Sequence, residues 1–271
     1  MMELHHLSYG TSGPRIVFCH GLLGQGRNFT TVAKALADDH RCLLFDLPNH
    51  GRSPWTEHFD YAEIAEIVAD QLVGDAADPE PSIVVGHSLG GKVAMRLALN
   101  HPELVSRLCV VDMSPVTYDS ASDLGGYVSA LLSLDLATLS DRATADALLT
   151  DEVPDPTVRG FLLQNLRQDR GRWFFQPNLE LFDREMAAVT GWEPVSTTYD
   201  GPVLWVAGAN SDYVTDAYEP AMRELFPTTR LVRVKNAGHW VHSEQPEVFT
   251  QILAFFARQQ ARTDGDPPAG G

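Results

Sequence analysis

The chain has 271 residues, 44% of them hydrophobic, enough for one large α/β domain or two small ones. Its 36 acidic residues outnumber 20 basic ones, for a net charge of −16 at neutral pH. Such a surface repels nucleic acid and anionic lipid, so neither is an expected partner. No apolar run approaches the roughly 20 residues that span a bilayer. Met1–His6 carries neither a charged n-region nor an apolar h-region. A cytoplasmic location follows as an expectation. Cys19, Cys42 and Cys109 each sit in an apolar run, and the count is odd. They read as small buried core residues, not as a disulfide framework or zinc site, and no metal or cofactor is expected.

Leu4–Tyr9 reads as an edge strand closed by the turn cluster Gly10–Pro14. Arg15–Cys19 is a short buried strand, followed by the glycine-framed loop His20-Gly21-Leu22-Leu23-Gly24. Asn28 or Thr30 is placed to cap a helix through Val32, Ala35 and Leu36. Arg41–Phe45 is the next strand, ending in a loop from Asp46 to Pro54. Asp60 caps a helix with Ile64, Ile67, Val68 and Leu72 on one face. Asp75–Pro81 is an acidic loop. Ser82–Val85 leads into Gly86-His87-Ser88-Leu89-Gly90 and a helix. Leu104–Asp112, Gly201–Gly208 and Arg230–Val234 are further strands, and the last helix runs from about Pro246 to Ala257.

Strands alternating with helices imply a mostly parallel sheet covered on both faces, with its site at the carboxyl ends of the strands. Every polar cluster above falls there. The alternation breaks between Asp112 and Gly201, where helices are expected over Tyr127–Leu136, Ala143–Leu149, Thr157–Gln168 and Leu179–Val189. Residues 119–195 thus read as a helical lid on a core of 1–118 and 196–261. The stretch 262–271 is rich in Pro, Gly and Asp and reads as a disordered tail. Trp173, Phe174, Phe175, Leu179 and Phe182 are candidates to line an apolar cavity under the lid.

Gly86-x-Ser88-x-Gly90 between a strand and a helix is the pattern of a nucleophile elbow. The sharp turn puts the serine in an unfavourable backbone conformation and lifts its hydroxyl above the sheet. The amide of Leu89 then points where an oxyanion would form. A serine needs a base, and His239, in the loop after a late strand, is the candidate. His87 lies within the elbow itself. His242 comes three residues late and reads as lying on the far side of the loop. The second oxyanion amide is expected from Leu22, with Leu23 the alternative. Two carboxylates compete to orient the base: Asp112, ending the strand beside the nucleophile strand, and Asp212, one residue past the usual position, which here holds Ser211.

These blocks occur together as His20-Gly21-Leu22-Leu23-Gly24, Asp46-x-x-Asn49-His50-Gly51-x-Ser53, Gly86-His87-Ser88-x-Gly90-Gly91-Lys92, Val111–Pro115 and Gly238-His239-Trp240-Val241-His242. In that combination the chain resembles the YbfF-type esterases of the α/β-hydrolase superfamily, over residues 3 to 258. The resemblance implies that the acid comes from the earlier strand, which favours Asp112 and leaves Asp212 in reserve. It departs from the family in having Leu89 where the family has Met. The expected function is hydrolysis of short-to-medium acyl esters or thioesters through an acyl-enzyme on Ser88. Leu23, His87, Trp173, Phe182, Tyr213 and Trp240 are the expected substrate-binding residues. Acyl transfer to alcohols uses the same triad, and a non-catalytic ligand-binding relative keeps the fold alone. Dehalogenases and epoxide hydrolases of this fold need Asp in place of Ser88.

Overall fold

A computed structural model describes residues 2–74, 80–118 and 121–258. The tail at 262–271 and most of the acidic loop lie outside the described residues. The strands are β1 (His6–Tyr9), β2 (Arg15–Cys19), β3 (Arg41–Phe45), β4 (Ser82–His87), β5 (Val105–Val111), β6 (Leu166–Asp169), β7 (Arg172–Phe175), β8 (Val203–Gly208) and β9 (Thr229–Val234). Seven of them form one sheet in the order β1-β3-β2-β4-β5-β8-β9. β1 runs antiparallel to β3, and every other pair in that sheet is parallel. The β-branched run Ile83-Val84-Val85 makes β4 a fully buried central strand.

Helices cover both faces, as an all-buried parallel sheet requires. One face carries α1 (Thr30–Leu36) and, at the chain's end, α11 (Pro246–Arg258), which pack together. The other carries α2 (Tyr61–Val73) and α3 (Leu89–Asn100). Asp60 caps α2, its Oδ1 accepting from the amides of Ala62 at 2.6 Å and Glu63 at 3.1 Å. Neither Asn28 nor Thr30 caps α1. A 3₁₀ turn at Gly26–Phe29 runs straight into it.

Among the described residues between β5 and β8, none joins the main sheet. It forms α4 (Ala121–Leu132), α5 (Arg142–Leu148), α6 (Pro156–Leu163), α7 (Leu179–Arg184) and α8 (Met186–Thr190). Two expectations are corrected here. The helix expected over Thr157–Gln168 stops at Leu163, and β6 and β7 follow as an antiparallel hairpin. Arg170 and Gly171 turn it with φ of 46° and 81°, the two positive values that a two-residue turn matched to strand twist demands. The helix expected over Leu179–Val189 is broken at Glu185. Two short helices, α9 (Glu219–Leu225) and α10 (Val241–Glu244), complete the chain before α11.

The strand ends position the site. β4 ends on His87 with Ser88 next, and β5 ends on Val111 with Asp112 next. Register pairs His87 with Val111 and Val111 with Val206, so the ends of β4, β5 and β8 stand side by side.

Candidate active site

Ser88 sits at φ 53°, ψ −122°, where a side chain is strained. The flanking glycines make that turn possible. A Cβ on Gly86 would lie 2.1 Å from the Gly90 carbonyl oxygen, and one on Gly90 would lie 2.3 Å from that of Cys19. The Ser88 carbonyl accepts from the amides of Gly91 and Lys92 at 2.8 and 3.2 Å, which starts α3 directly beneath the hydroxyl.

Asp112 also turns sharply at its strand end, with φ 49°, and is wholly buried. Its Oδ1 accepts from the Gly208 amide at 2.9 Å. Its Oδ2 accepts from the Ser211 hydroxyl and, at 2.8 Å, from Nδ1 of His239. Among the described residues, Asp112 is the carboxylate paired with His239; Asp212 is exposed and makes no such pair.

The backbone around His239 is held on three sides. The carboxylate of Glu244, on α10, accepts from the amides of Gly238 at 2.7 Å and Trp240 at 3.1 Å. Nε2 of His87 donates to the His239 carbonyl at 2.9 Å. Tyr213 stacks on the imidazole with centroids 4.1 Å apart. Glu244 and Ser211 are positioning groups that the sequence reading missed; only contacts across loops reveal them.

The early loop offers amides for an oxyanion. The Leu23 amide donates to Nε2 of His50 at 3.1 Å and is therefore taken. Neither the Leu22 nor the Leu89 amide has a partner among the described residues. His50 donates through Nδ1 to the Pro48 carbonyl at 3.0 Å, so its neutral tautomer is defined. His20 likewise accepts from the Leu47 amide at 3.0 Å and donates to the Gly21 carbonyl at 2.8 Å. Asp46 braces the loop by accepting from the amides of Gly26 at 2.8 Å and Arg52 at 2.9 Å. The Asp46-x-x-Asn49-His50-Gly51 block thus acts as scaffold for the Leu22 segment. Asn165, buried in the insertion, donates to the Leu23 carbonyl at 2.7 Å and ties the two together.

Ser88, His239, Gly21, Leu22, Leu23, His87 and Trp240 line one small cavity, of about 20 Å³. Leu124, Tyr127, Phe161 and Leu162 of the insertion close it from above. A second cavity, of about 10 Å³, also reaches Ser88 and is lined by Leu89, Lys92, Met113, Tyr118 and Tyr213. Lys92 is buried, and its ammonium binds the carbonyls of Thr190 and Gly191, both at 2.7 Å. Burial alone brings its pKa down to about 7.

Three expectations fail. Phe182 is fully buried, with its ring against His50 and Phe59, so it is core. Trp173 donates its indole N–H to the Leu139 carbonyl at 2.9 Å and lines neither cavity. His242 is not on the far side of the loop. It lies on α10 and turns inward, edge-on to His87 at 4.6 Å and stacked on Phe29 at 4.5 Å.

His20, His50, His87 and His242 are all buried, and burial lowers the pKa of each, that of His242 to about 3. Folding therefore holds these rings neutral, whereas the unfolded chain protonates them near pH 6.5. The sign follows: their contribution is intact above pH 6.5 and shrinks as the pH falls below it. The loss is about 1.4 kcal/mol per pH unit for each ring until its folded pKa is reached. Urea midpoints are expected to fall gently from pH 8 to 7, where Lys92 alone takes up a proton more readily in the unfolded chain, and to drop steeply from pH 6 to 5 as the four rings add to it. A level midpoint down to pH 5 would mean that the rings are charged in the folded protein.

A strained serine at a strand–helix elbow, beneath a loop bearing a carboxylate-bound histidine, defines the site of an α/β hydrolase. The family model for the alpha/beta hydrolase fold matches residues 14–246, and the chain belongs to that family. It is 36% identical over 249 residues to the sn-1-specific diacylglycerol lipase ABHD11 of Mus musculus, covering 90% of this chain and 80% of that protein. It is 31% identical over 240 residues to esterase YbfF of Escherichia coli, covering 88% and 91%. Among solved structures, a marine microorganism esterase aligns with a TM-score of 0.90 and 30% identity, covering 94% of this chain and 100% of that one. The resemblance to YbfF-type esterases read from the motifs therefore holds. Among the described residues no helix is long and apolar enough to cross a membrane.

Proposed function

We propose that this protein is a serine hydrolase that cleaves carboxylic esters or thioesters of short-to-medium acyl chains. The observation that carries the reading is His239, bound through Nδ1 to the buried carboxylate of Asp112 and lining the same cavity as Ser88. Ser88 Oγ attacks the substrate carbonyl while His239 takes its proton through Nε2. Asp112 holds the imidazole by Nδ1 and stabilises the cation that forms. The Leu22 and Leu89 amides receive the oxyanion, and each such donor is worth roughly 2.7–4 kcal/mol in the transition state. His239 then protonates the leaving group, and water releases the acid. This route draws on no metal or cofactor. The lipase and esterase names of the relatives point to the same chemistry.

Residues 119–195 act as a lid in this reading. A cavity of about 20 Å³ admits little more than one water-sized probe, so substrate entry requires α4 and α6 to lift. A fluorophosphonate probe is expected to label Ser88 and nothing else in the chain, as read by peptide mass. An unlabelled Ser88 would favour a ligand-binding relative. Product analysis in water–ethanol separates hydrolysis from acyl transfer, with free acid expected to dominate.

A further inference from the structure

The net charge of −16 is not spread evenly. Four arginines gather at the seam between the insertion and the core. Arg27, in the 3₁₀ turn after the oxyanion loop, donates to the Gln164 carbonyl at 3.2 Å. Arg167, on β6, donates to that same oxygen and, at 3.0 Å, to the Leu166 carbonyl. Arg142, the first residue of α5, donates to the Leu166 oxygen as well, at 2.6 Å. Two neighbouring carbonyls thus hold three guanidinium groups side by side. Arg52 is the fourth. Burial, and then the charges of Arg27, Arg142 and Arg52, lower the Arg167 pKa.

None of the four arginines takes part in an ion pair among the described residues. Asp46 acts against their repulsion, but its two oxygens are taken by the amides of Gly26 and Arg52. Like charges this close repel, and folding gives them only neutral carbonyls in return. An anion supplies what the fold leaves out.

Arg27, Arg52 and Arg142 are exposed and Arg167 is half-buried, so a ligand can reach the group. Arg27 and Arg142 each commit one terminal nitrogen, and the Arg52 guanidinium makes no hydrogen bond among the described residues. The planar fork of a guanidinium matches phosphate oxygens two at a time, and several phosphate charges answer several arginines. None of the four lines either cavity at Ser88, so this place is separate from the catalytic centre.

We propose that the seam binds a small soluble ligand carrying two or more phosphate charges, and that the bound ligand clamps the insertion to the core. Arg27 and Arg52 belong to the core, Arg142 and Arg167 to the insertion. Helix α6 ends at Leu163, directly before Gln164, and its Phe161 and Leu162 roof the cavity over Ser88. The clamp rests on the lid reading above; the binding does not.

Inorganic pyrophosphate is the probe. At constant ionic strength it is expected to bind in titration calorimetry and to raise the thermal midpoint, where sodium chloride does neither. Arg52→Gln removes a charge whose side chain holds nothing else. Without pyrophosphate its midpoint is expected to be no lower than that of the wild type, whereas loss of a structural arginine would lower it. Its affinity for pyrophosphate is expected to fall about tenfold or more. Saturating pyrophosphate is expected to slow fluorophosphonate labelling of Ser88 several-fold in the wild type, and not in Arg52→Gln combined with Arg142→Gln. Absence of binding, equal binding by Arg52→Gln, attachment to phosphatidylglycerol vesicles in place of pyrophosphate binding, or an unchanged labelling rate overturns the proposal. Failure of the hydrolase reading looks different: Ser88 stays unlabelled with or without pyrophosphate, and the calorimetry is unaffected.

Discussion

Ser88→Ala is expected to lower kcat for p-nitrophenyl butyrate by about 10⁵- to 10⁶-fold, with KM little changed. The nucleophile is lost, but the oxyanion amides and the cavity remain, so binding survives. The fold survives too. Alanine at φ 53° bears the same Cβ strain as serine, and the Ser88 side chain caps nothing in α3. Urea midpoints of the two proteins should therefore agree. Ser88→Gly sharpens the point by releasing backbone strain of about 1–3 kcal/mol. That variant is expected to be inactive yet more stable than the wild type. The pattern would place the strain at the nucleophile itself, as the glycines at 86 and 90 already indicate by leaving room for nothing larger. Near-native turnover by Ser88→Ala would sink the acyl-enzyme route.

The parts of this fold legible in the sequence are those with local causes. Arg41–Phe45 is a strand because a short apolar run, Cys42-Leu43-Leu44-Phe45, is bounded by turn residues, and its observed limits match. Ser88 and His239 were legible because each sits in a loop directly after an apolar strand. The hairpin at 166–175 was hidden because Arg170, not a second glycine, occupies the first positive-φ position. Trp173 and Phe182 were mistaken for cavity residues because an aromatic carries no sign of which side it faces. Their partners, the Leu139 carbonyl and the His50 ring, lie 34 and 132 residues away in the chain. His242 was misplaced for a related reason. Helix α10 begins at Val241, and one turn of helix carries the side chain back under His87. The choice between Asp112 and Asp212 was open for the deepest reason. Either carboxylate follows a strand flanking the site, and only the side-by-side register of β5 and β8 settles which one meets the imidazole.

That choice can be read by mutation. Asp112→Asn is expected to reduce kcat by about 10⁴-fold, while Asp212→Asn stays within a few fold of wild type. The amide can satisfy the Gly208 N–H with its oxygen, as Oδ1 of Asp112 does now. Its NH₂ group must then face Nδ1 of His239 and donate to it. The imidazole proton is forced onto Nε2, the nitrogen that has to accept from Ser88. Turning the amide over instead sets NH₂ against the Gly208 N–H and leaves two donors opposed at a fully buried position, at a cost of about 1–3 kcal/mol. Neither orientation gives both a sound fold and a working base. Imidazole nitrogen shifts in labelled protein should report the Nε2–H tautomer in Asp112→Asn and the Nδ1–H tautomer in the wild type. If Asp212→Asn shows the loss and Asp112→Asn does not, the Ser211 hydroxyl bonded to Asp112 becomes the mark of a structural carboxylate. The acid would then have to come from the β8 loop after all.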